Sequence, residues 1–289
     1  MESAHVNTCR CELISFLLSQ VLQNLQAKEC QEGSHSLCIT KIRKTNKSVV
    51  IDNPWLNISD GNAKIATCDI PFFESEGTVE LYAEKINNKD KEIELTFDCM
   101  PEPFCGNPQS KVYCLNKNPG KPDTCFKDDE TFIKATINNL QLKSDKCIWT
   151  EDIRNKCGKQ HDGVEWMRKR TKSLTDFLDD YPDIFFIEYF PYHSTKGFAF
   201  PKHLPSYGFS DELIKRAKEE KKLIIIMREK TNWIKRLKKS IPDIEQYENL
   251  YKLKCPQGGY LTKDNIVRYC DDENDTKLSD EEIRYYFKK

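Results

Sequence analysis

Four short runs of mostly apolar residues stand out in the second half of the chain, at residues 112–115, 184–190, 223–227 and 250–253. Runs of this length and composition predict strands that are buried on both faces of a sheet. Two helices are predicted on either side of the third run: one begins after Ser210, a favourable N-cap, and the other covers about residues 231–239. Strands that alternate with helices predict an α/β domain with a parallel sheet, whose ligand crevice lies outside the carboxyl ends of the strands.

The first hundred residues have a different pattern. Apolar and polar residues alternate over 48–51, 78–82 and 93–97, which predicts the short strands of an antiparallel α+β extension. Apolar positions between Leu13 and Leu25 recur at helical spacing, and near the other end of the chain Ser279 and Glu282 are spaced as a capping box. We therefore expect three segments: an N-terminal α+β extension over residues 1–100, an α/β domain over 101–270 and a tail helix within 271–289.

The composition is typical of a soluble globular protein. Of the 289 residues, 38% are hydrophobic and 31% are charged, and the formal net charge is −1. This balance gives no overall attraction to nucleic acid, so a nucleic-acid surface requires an uneven placement of basic residues. The sequence contains no recognisable signal peptide and no membrane-spanning stretch, and we expect a cytoplasmic protein without a membrane partner.

The 13 cysteines are an odd number and include no C-x-x-C pair. Because an intracellular chain normally keeps its cysteines reduced, scattered buried thiols are expected rather than a metal or iron–sulfur site. We accordingly expect neither a metal nor another cofactor.

Polar residues follow the first two apolar runs. After the first run comes Asn118-Pro119-Gly120, whose glycine permits a ligand to approach closely and whose amide can hold a water, although such tripeptides also form ordinary turns. The second run contains Glu188, a carboxylate that is costly to bury without a partner, and leads to His193, which could transfer protons. Either a ligand site or a structural ion pair of Glu188 beside a surface histidine explains this second cluster.

Further candidates lie after the third run and on basic segments. Arg228 could bind a phosphate, neutralise Glu188 or lie at the surface. Gln257 lies in a glycine-containing loop, residues 255–260, that could close over a ligand or merely connect two elements. Basic residues that could follow a nucleic-acid backbone, or form solvated helix faces, are Arg168, Lys169, Arg170, Lys235 and Arg236.

Taken in order, these segments resemble the motifs of the uracil-DNA glycosylase superfamily, in the branch whose first motif ends in Asn-Pro-Gly, and they look closest to a poorly characterised bacterial subgroup. The resemblance covers about residues 100–260 and implies a three-layer α/β sandwich around a central parallel sheet. It also implies a glycosylase that acts on a base extruded from DNA. The similar segments are Pro101-Glu102-Pro103, Gly106-Asn107, Asn118-Pro119-Gly120, residues 188–194 and Leu204-Pro205-Ser206.

The resemblance implies roles for individual residues. Asn118 would hold the hydrolytic water or stabilise the sugar cation, beside a backbone wall of Pro119 and Gly120, and the base would stack on Phe126 or Phe132. The chain departs from the family at its last motif, where Cys255-Pro256-Gln257 replaces His-Pro-Ser, and His193 is the expected substitute for the missing histidine. Further substrate contacts are expected from Tyr189, Tyr192, Ser194, Arg228 and Gln257.

A second departure concerns the base. The position that is Asn in uracil-reading members is Glu188 here, and an ionised carboxylate only accepts hydrogen bonds. An acceptor suits an exocyclic amine, which leads to the hypothesis of a DNA glycosylase for a modified, cytosine-type base, with a role in defence against phage DNA. The alternatives are a catalytically silent domain that binds nucleic acid or a nucleotide, and an N-glycosidic hydrolase of free nucleosides or nucleotides.

Overall fold

The computed structural model describes residues 43–45, 48–58, 63–89, 93–121, 129–149, 162–196, 199–270 and 275–289. The helix expected between Leu13 and Leu25 lies outside these residues. Residues Thr40–Lys289 form one compact unit. The division expected at residue 100 falls inside this unit.

The part of the unit before residue 100 combines one hairpin with short helices. Strands β1 (Arg43–Thr45) and β2 (Ser48–Val50) pair antiparallel, which confirms the strand predicted at 48–51. A 3-10 turn (Pro54–Asn57), helix α1 (Ile70–Phe73) and helix α2 (Val79–Asn87) follow.

The other two strands predicted in this part are wrong. Residues 78–82 begin helix α2, because the Thr78 side chain accepts a hydrogen bond from Leu81 N (3.3 Å) and thereby caps the helix. Within residues 93–97, Leu95 forms an isolated bridge to Ser194 rather than a strand.

A mixed six-stranded sheet forms the centre of the unit and establishes an α/β fold. Its order is β3-β5-β4-β6-β7-β8. The four inner strands pair parallel with one another, whereas β3 and β8 pair antiparallel at the two edges. The apolar runs predict the four inner strands but not the two edge strands. The strands are β3 (Phe104–Cys105), β4 (Val112–Leu115), β5 (Phe185–Ile187), β6 (Leu223–Ile226), β7 (Leu250–Leu253) and β8 (Ile266–Arg268).

Alternate strand residues enter two separate hydrophobic clusters. One cluster joins Leu115 and Ile226 to helices α5 (Tyr207–Glu219) and α6 (Lys230–Leu237). The other joins Cys114, Phe186 and Ile225 to residues of three further helices. Because both sets of strand residues are buried, the strands are apolar throughout rather than alternating. The remaining helices are α3 (Glu130–Leu140), α4 (Asp162–Leu178) and α7 (Asp280–Phe287); α4 and α7 belong to the second cluster, and α3 contributes Phe132 to it and Leu140 to the first.

The helix ends agree with the sequence signals in two cases out of three. Helix α6 lies where it is predicted, and α7 has the predicted capping box of Ser279 and Glu282. Helix α5 instead begins at Tyr207, so that Ser210 is buried inside its first turn and is not the N-cap.

Residues before position 100 share a core with the sheet. Trp55 and Phe73 are almost fully buried in the cluster that contains Tyr192. Asp69 fastens this contact, because its buried carboxylate accepts hydrogen bonds from Tyr192 Oη (2.7 Å) and from Ser206 N (2.9 Å). The segment before residue 100 therefore supports the chain that follows β5.

Cys105 of β3 and Cys147 form a disulfide, with their Cα atoms 5.2 Å apart. The expectation of scattered thiols is therefore wrong for this pair, although Cys114 is a buried free thiol. Disulfides are rare in cytosolic proteins, so this bond gives no support to the expected cytoplasmic location. The location stays a prediction. Within the described ranges, no helix is both long enough and apolar enough to cross a bilayer.

Candidate functional site

The carboxyl ends of three parallel strands meet at one cavity. Asn116, Glu188 and Arg228 follow β4, β5 and β6 within two residues, and all three line a cavity of about 460 Å³. Open α/β sheets bind ligands at this edge, because the ends of parallel strands and their following loops converge there. The cavity thus lies where the strand pattern predicts a ligand site.

Asn118-Pro119-Gly120 forms part of the cavity wall. Gly120 has φ +85°, a conformation that favours glycine. Asn118 Nδ2 donates to both the carbonyl oxygen and Oγ of Ser194, each at 3.1 Å. These bonds orient the amide, so that within the described residues Asn118 Oδ1 stays available to a water or a ligand.

Ser194 has a supporting role instead of the expected substrate contact. It is fully buried and lies outside the cavity lining. Its Oγ donates to Lys196 O (2.8 Å) and accepts from Asn118. Ser194 therefore positions Asn118.

Glu188 and Asn116 form a hydrogen-bonded pair in the cavity. Asn116 Nδ2 donates to Glu188 Oε1 at 3.0 Å, while Asn116 Oδ1 and Glu188 Oε2 are buried without a partner among the described residues. Trp233 Nε1 donates to Asn116 O at 2.7 Å and holds this end of β4 in place.

The burial of Glu188 has the largest effect on the protonation of its carboxyl group. Desolvation raises the pKa of Glu188 to about 8; the Asn116 hydrogen bond opposes this effect and the nearby Glu102 charge adds to it. Glu188 is consequently mostly protonated at pH 7 and carries an O–H donor. At neutral pH, burial thus disfavours the ionised, purely accepting Glu188 that is expected from the sequence.

His193 lines the cavity but is held from both sides. Nδ1 lies 3.2 Å from Gly120 O, and Nε2 lies 3.2 Å from Met100 O and 3.4 Å from Glu102 Oε1. Both ring nitrogens thus face oxygen atoms of neighbouring loops. The geometry favours a ring that ties the loops together over one that is free to accept a proton from water.

Aromatic rings form much of the lining. Phe132 of α3 packs against Trp149 with ring centroids 5.5 Å apart, and Trp166 of α4 meets Phe186 edge-on at 6.0 Å. All four line the cavity, and such flat rings suit a planar ligand. Of the two stacking candidates, Phe132 lines the cavity, whereas Phe126 lies outside the described residues.

The cavity lining is basic although the chain is not. It includes six Lys and Arg residues but three Asp and Glu residues, of which Glu188 is mostly neutral at pH 7. An aromatic cavity with basic residues matches the chemistry of a nucleotide, whose base stacks and whose phosphate is anionic. The basic residues are Lys64, Lys117, Lys121, Arg170, Lys196 and Arg228.

Arg228 links the cavity to the loop at 256–260. Its Nη2 donates to Gln257 O at 3.0 Å. Desolvation and then the charge of Arg170 lower the pKa of Arg228 from its ordinary value. Gln257 is exposed and lies outside the cavity lining, and its backbone oxygen anchors Arg228. The expected contact of its side chain with substrate stays a prediction.

Tyr189 and Tyr192 lie in the hydrophobic core and not at the cavity. Tyr189 packs against Trp233 and Tyr207 with ring centroids 5.2 and 5.5 Å apart. Tyr192 is 1% exposed, and its hydroxyl is satisfied by Asp69. Because burial of these large rings in the core is favourable and neither lines the cavity, the structure does not support the expected substrate role of the two tyrosines.

Arg236 is a structural residue, contrary to the expected DNA contact. It is 5% exposed, and its Nε donates to Asp211 Oδ1 at 2.7 Å. Its Nη1 and Nη2 donate to the carbonyls of Tyr189 and Tyr207, both at 3.1 Å. The guanidinium therefore ties α6 to α5 and to the chain after β5.

The other basic candidates lie on the surface or at the cavity. Arg168, Lys169 and Lys235 are exposed, and the first two pair with Glu165 at 2.9 and 3.1 Å. Phosphate contacts at these three residues stay a prediction. Arg170, two positions after Arg168, lines the cavity instead.

Sequence reasoning overlooks three lining residues as parts of a site. Asn116 had a usable signal, because it follows an apolar run directly, as Glu188 does. Glu102 lies in a recognised proline-rich motif, but the sequence gives no indication that it faces His193. Trp149 carries no local signal, because it comes from a segment without a regular element.

Comparisons of the chain with models of protein families, with curated proteins and with solved structures find no match. In the part of the chain that the structure describes, no three His, Cys, Asp or Glu side chains lie close enough to hold a metal ion. The functional interpretation therefore rests on the sequence motifs and on the geometry of the cavity.

Proposed function

We propose that this protein is a DNA glycosylase, which hydrolyses the N-glycosidic bond of an extruded pyrimidine base, either of the cytosine type expected from the sequence or uracil, and leaves an abasic site. The observation that carries the proposal is the Glu188–Asn116 pair, a neutral carboxyl and an amide with unpartnered oxygens in the aromatic cavity that also holds Asn118. We further propose that the mixed sheet and the helices packed on it form a three-layer, uracil-DNA-glycosylase-like sandwich.

The polar pair offers a donor beside an acceptor. The proton of neutral Glu188 belongs on Oε2, because Oε1 already accepts from Asn116 Nδ2. Glu188 Oε2 then donates and Asn116 Oδ1 accepts. Cytosine presents a complementary edge, the N3 acceptor beside the N4 amine donor, and the uracil edge of O4 and N3–H fits the same pair.

The size and lining of the cavity suit an extruded base. Its volume of about 460 Å³ lies within the roughly 300–1,000 Å³ of ordinary small-molecule sites. A base that leaves the duplex exchanges stacking on its neighbours for stacking on aromatic side chains such as Phe132 and Trp166.

The proposed reaction is a hydrolysis at the sugar carbon C1′. The water oxygen bonds to C1′ as the bond from C1′ to the base breaks, and the electron pair of that bond leaves with the base. Asn118 Oδ1 accepts a hydrogen bond from the water and orients it, and one water proton passes to the solvent. The basic lining stabilises the negative charge that develops on the base.

A catalytically silent nucleotide-binding domain is the second candidate, and one observation favours it. Both nitrogens of His193 are engaged, and Glu188 is mostly protonated at pH 7. Neither His193, the residue expected to transfer protons, nor Glu188 is therefore free to accept a proton from water. In this alternative the cavity binds a base without cleaving its bond.

The test is a panel of single- and double-stranded DNAs that contain uracil, cytosine, or methylated, hydroxymethylated or glucosylated cytosine. Alkaline cleavage after incubation scores abasic sites. The proposal predicts abasic sites at one or more of these bases with wild type, and a rate roughly 100-fold lower for Asn118→Ala. Preference for hydroxymethylated or glucosylated cytosine is the result expected of a defence role against phage DNA. DNA that is bound but never cleaved would favour the silent domain.

A further inference from the structure

Two arginines converge at the cavity wall. Arg170 of α4 and Arg228 after β6 both line the cavity. A methyl group added at Gly259 would lie 3.5 Å from Arg228 Nε and 3.7 Å from Arg170 Nε, so the two guanidiniums approach one point from different elements. Two like charges held this close repel each other unless an anion joins them.

Three other arginines of the described chain have acidic partners. Arg168 pairs with Glu165 at 2.9 Å, Arg216 with Glu212 at 3.1 Å, and Arg236 with Asp211 at 2.7 Å. Arg170 differs from these three, because within the described residues its buried Nε, like that of Arg268, has no hydrogen-bond partner. For Arg228, the charge of Arg170 has a larger effect on the pKa than the opposing charge of Glu188.

The neighbouring loop keeps both guanidiniums in position. Arg228 donates to Gln257 O through one N–H of Nη2, which leaves its other N–H groups for a ligand. The Arg170 guanidinium lies 4.5 Å from the centroid of the Tyr260 ring, and Leu261 N donates to Arg170 O at 2.9 Å. Gly259 has φ +64°, and its lack of a side chain lets the loop lie against both arginines.

We propose that Arg170 and Arg228 form a phosphate-binding subsite, which holds a phosphate of the nucleotide whose base enters the cavity. The nucleotide as ligand class rests on the proposed function. Paired guanidiniums suit a phosphate because each offers a planar fork of N–H donors to the phosphate oxygens. The phosphate comes either from the DNA backbone or from a free nucleotide, and the recognition chemistry is the same.

Calorimetric titrations of the full chain at low salt test this subsite. The ligands are deoxycytidine, deoxyuridine, their 5′-monophosphates, and short single-stranded oligonucleotides with one central cytosine or uracil. We expect at least one phosphate-bearing ligand to bind about 10-fold or more tightly than its nucleoside, which is about 1.4 kcal/mol. Arg170→Gln and Arg228→Gln should each bring the ratio of phosphate-bearing to nucleoside affinity close to one. Arg168→Gln, on the same helix but exposed and paired with Glu165, is the matched control.

The outcomes separate the sources of the phosphate. If only the oligonucleotides bind more tightly than the nucleosides, the subsite holds a phosphate of the DNA backbone. If the monophosphates also bind more tightly, the subsite holds the phosphate of any nucleotide. Both outcomes support the proposal. Equal affinity for all nucleosides and their phosphate-bearing forms overturns it, as does a gain that both arginine variants retain. If Arg170→Gln shows no thermal unfolding transition, it is not folded. The test of the subsite then rests on Arg228→Gln and on the affinities of wild type for the nucleosides and their phosphate-bearing forms.

The subsite and the glycosylase can fail separately. Phosphate preference without abasic sites on any DNA leaves the subsite in place and removes the glycosylase. Abasic sites without any phosphate preference remove the subsite and leave the glycosylase.

Discussion

Glu188 lies where a buried strand ends, so its carboxyl loses water without gaining a close cation. Asn116 donates one hydrogen bond and Arg228 attracts from further away, but desolvation outweighs both and raises the pKa of Glu188 to about 8. Below that pH the neutral carboxyl both donates and accepts, as the amide of an asparagine does. A protonated Glu188 therefore offers both hydrogen-bonding roles, as an Asn side chain would at this position.

The pH dependence of the reaction follows from this protonation. Base release should fall as the pH rises through about 8, because ionised Glu188 loses the donor on Oε2. Glu188→Gln keeps a donor and an acceptor at every pH, so its profile should stay flat where that of wild type declines. Single-turnover rates between about pH 6 and 9 check this.

A second variant tests the cause of the shift. The negative charge of Glu102 helps to raise the pKa of Glu188, so Glu102→Gln should move the decline to lower pH. A decline in Glu188→Gln equal to that of wild type would mean that another group titrates.

Individual site residues are predictable in part from the sequence. Asn118, Glu188, His193 and Arg228 are brought together at one cavity, because each follows an apolar strand and parallel strands end at the same edge. The direction in which a side chain points beyond the end of a strand is not predictable in this way. Side chains alternate between the two faces of the sheet only within the strand. Tyr189 and Tyr192 are examples, since tertiary packing turns both rings into the core.

At the scale of elements, the short edge strand β3 depends on a covalent link. It is two residues long and carries Cys105, whose partner Cys147 precedes Trp149 by two residues. Cys105 and Trp149 both line the cavity. The disulfide therefore fastens one side of the cavity to the sheet.

Reduction of this disulfide should destabilise the fold. The bond closes a loop with a sequence separation of 42 residues, for which the chain-entropy relation gives about 4 kcal/mol. Urea unfolding with and without dithiothreitol measures the difference. Cys147→Ser should unfold like the reduced wild type and should not respond to dithiothreitol, and equal stability of oxidised and reduced wild type would contradict the structural role.

The ion pair between α6 and α5 makes a second prediction at this scale. Arg236→Gln should lower the free energy of unfolding by about 3–5 kcal/mol, because it leaves Asp211 buried without its cation. Lys235→Gln, the exposed neighbour, should change it by less than about 0.5 kcal/mol. Urea denaturation followed by circular dichroism distinguishes the two, and a small effect of Arg236→Gln would restore it as a candidate surface contact.

Element prediction fails where local signals compete. Residues 78–82 alternate as a strand does, yet the capping bond of Thr78 and packing against the core favour α2. Ser210 is followed by acidic residues as an N-cap is, but α5 starts earlier at Tyr207. The edge strands β3 and β8 have two and three residues, too few to give a periodic pattern.

At the scale of the whole molecule, the distribution of charged residues is more informative about the ligand than the net charge. The chain has a formal net charge of −1, whereas six basic residues line the cavity against three acidic ones. The alternation of strands and helices predicts the α/β class, because it follows from local hydrophobicity. The convergence of Arg170 with Arg228 has no such local signal, since the two residues are 58 positions apart along the chain.

The measurement that tests the central claim most directly is release of free base from DNA under single-turnover conditions, detected by mass spectrometry. Wild type and Asn118→Ala are compared with Asn232→Ala, an exposed amide outside the cavity lining. We predict free base in equal amount to abasic sites for wild type and Asn232→Ala, and a rate roughly 100-fold lower for Asn118→Ala. No free base from any DNA with folded wild type, or equal rates for wild type and Asn118→Ala, would contradict the proposal.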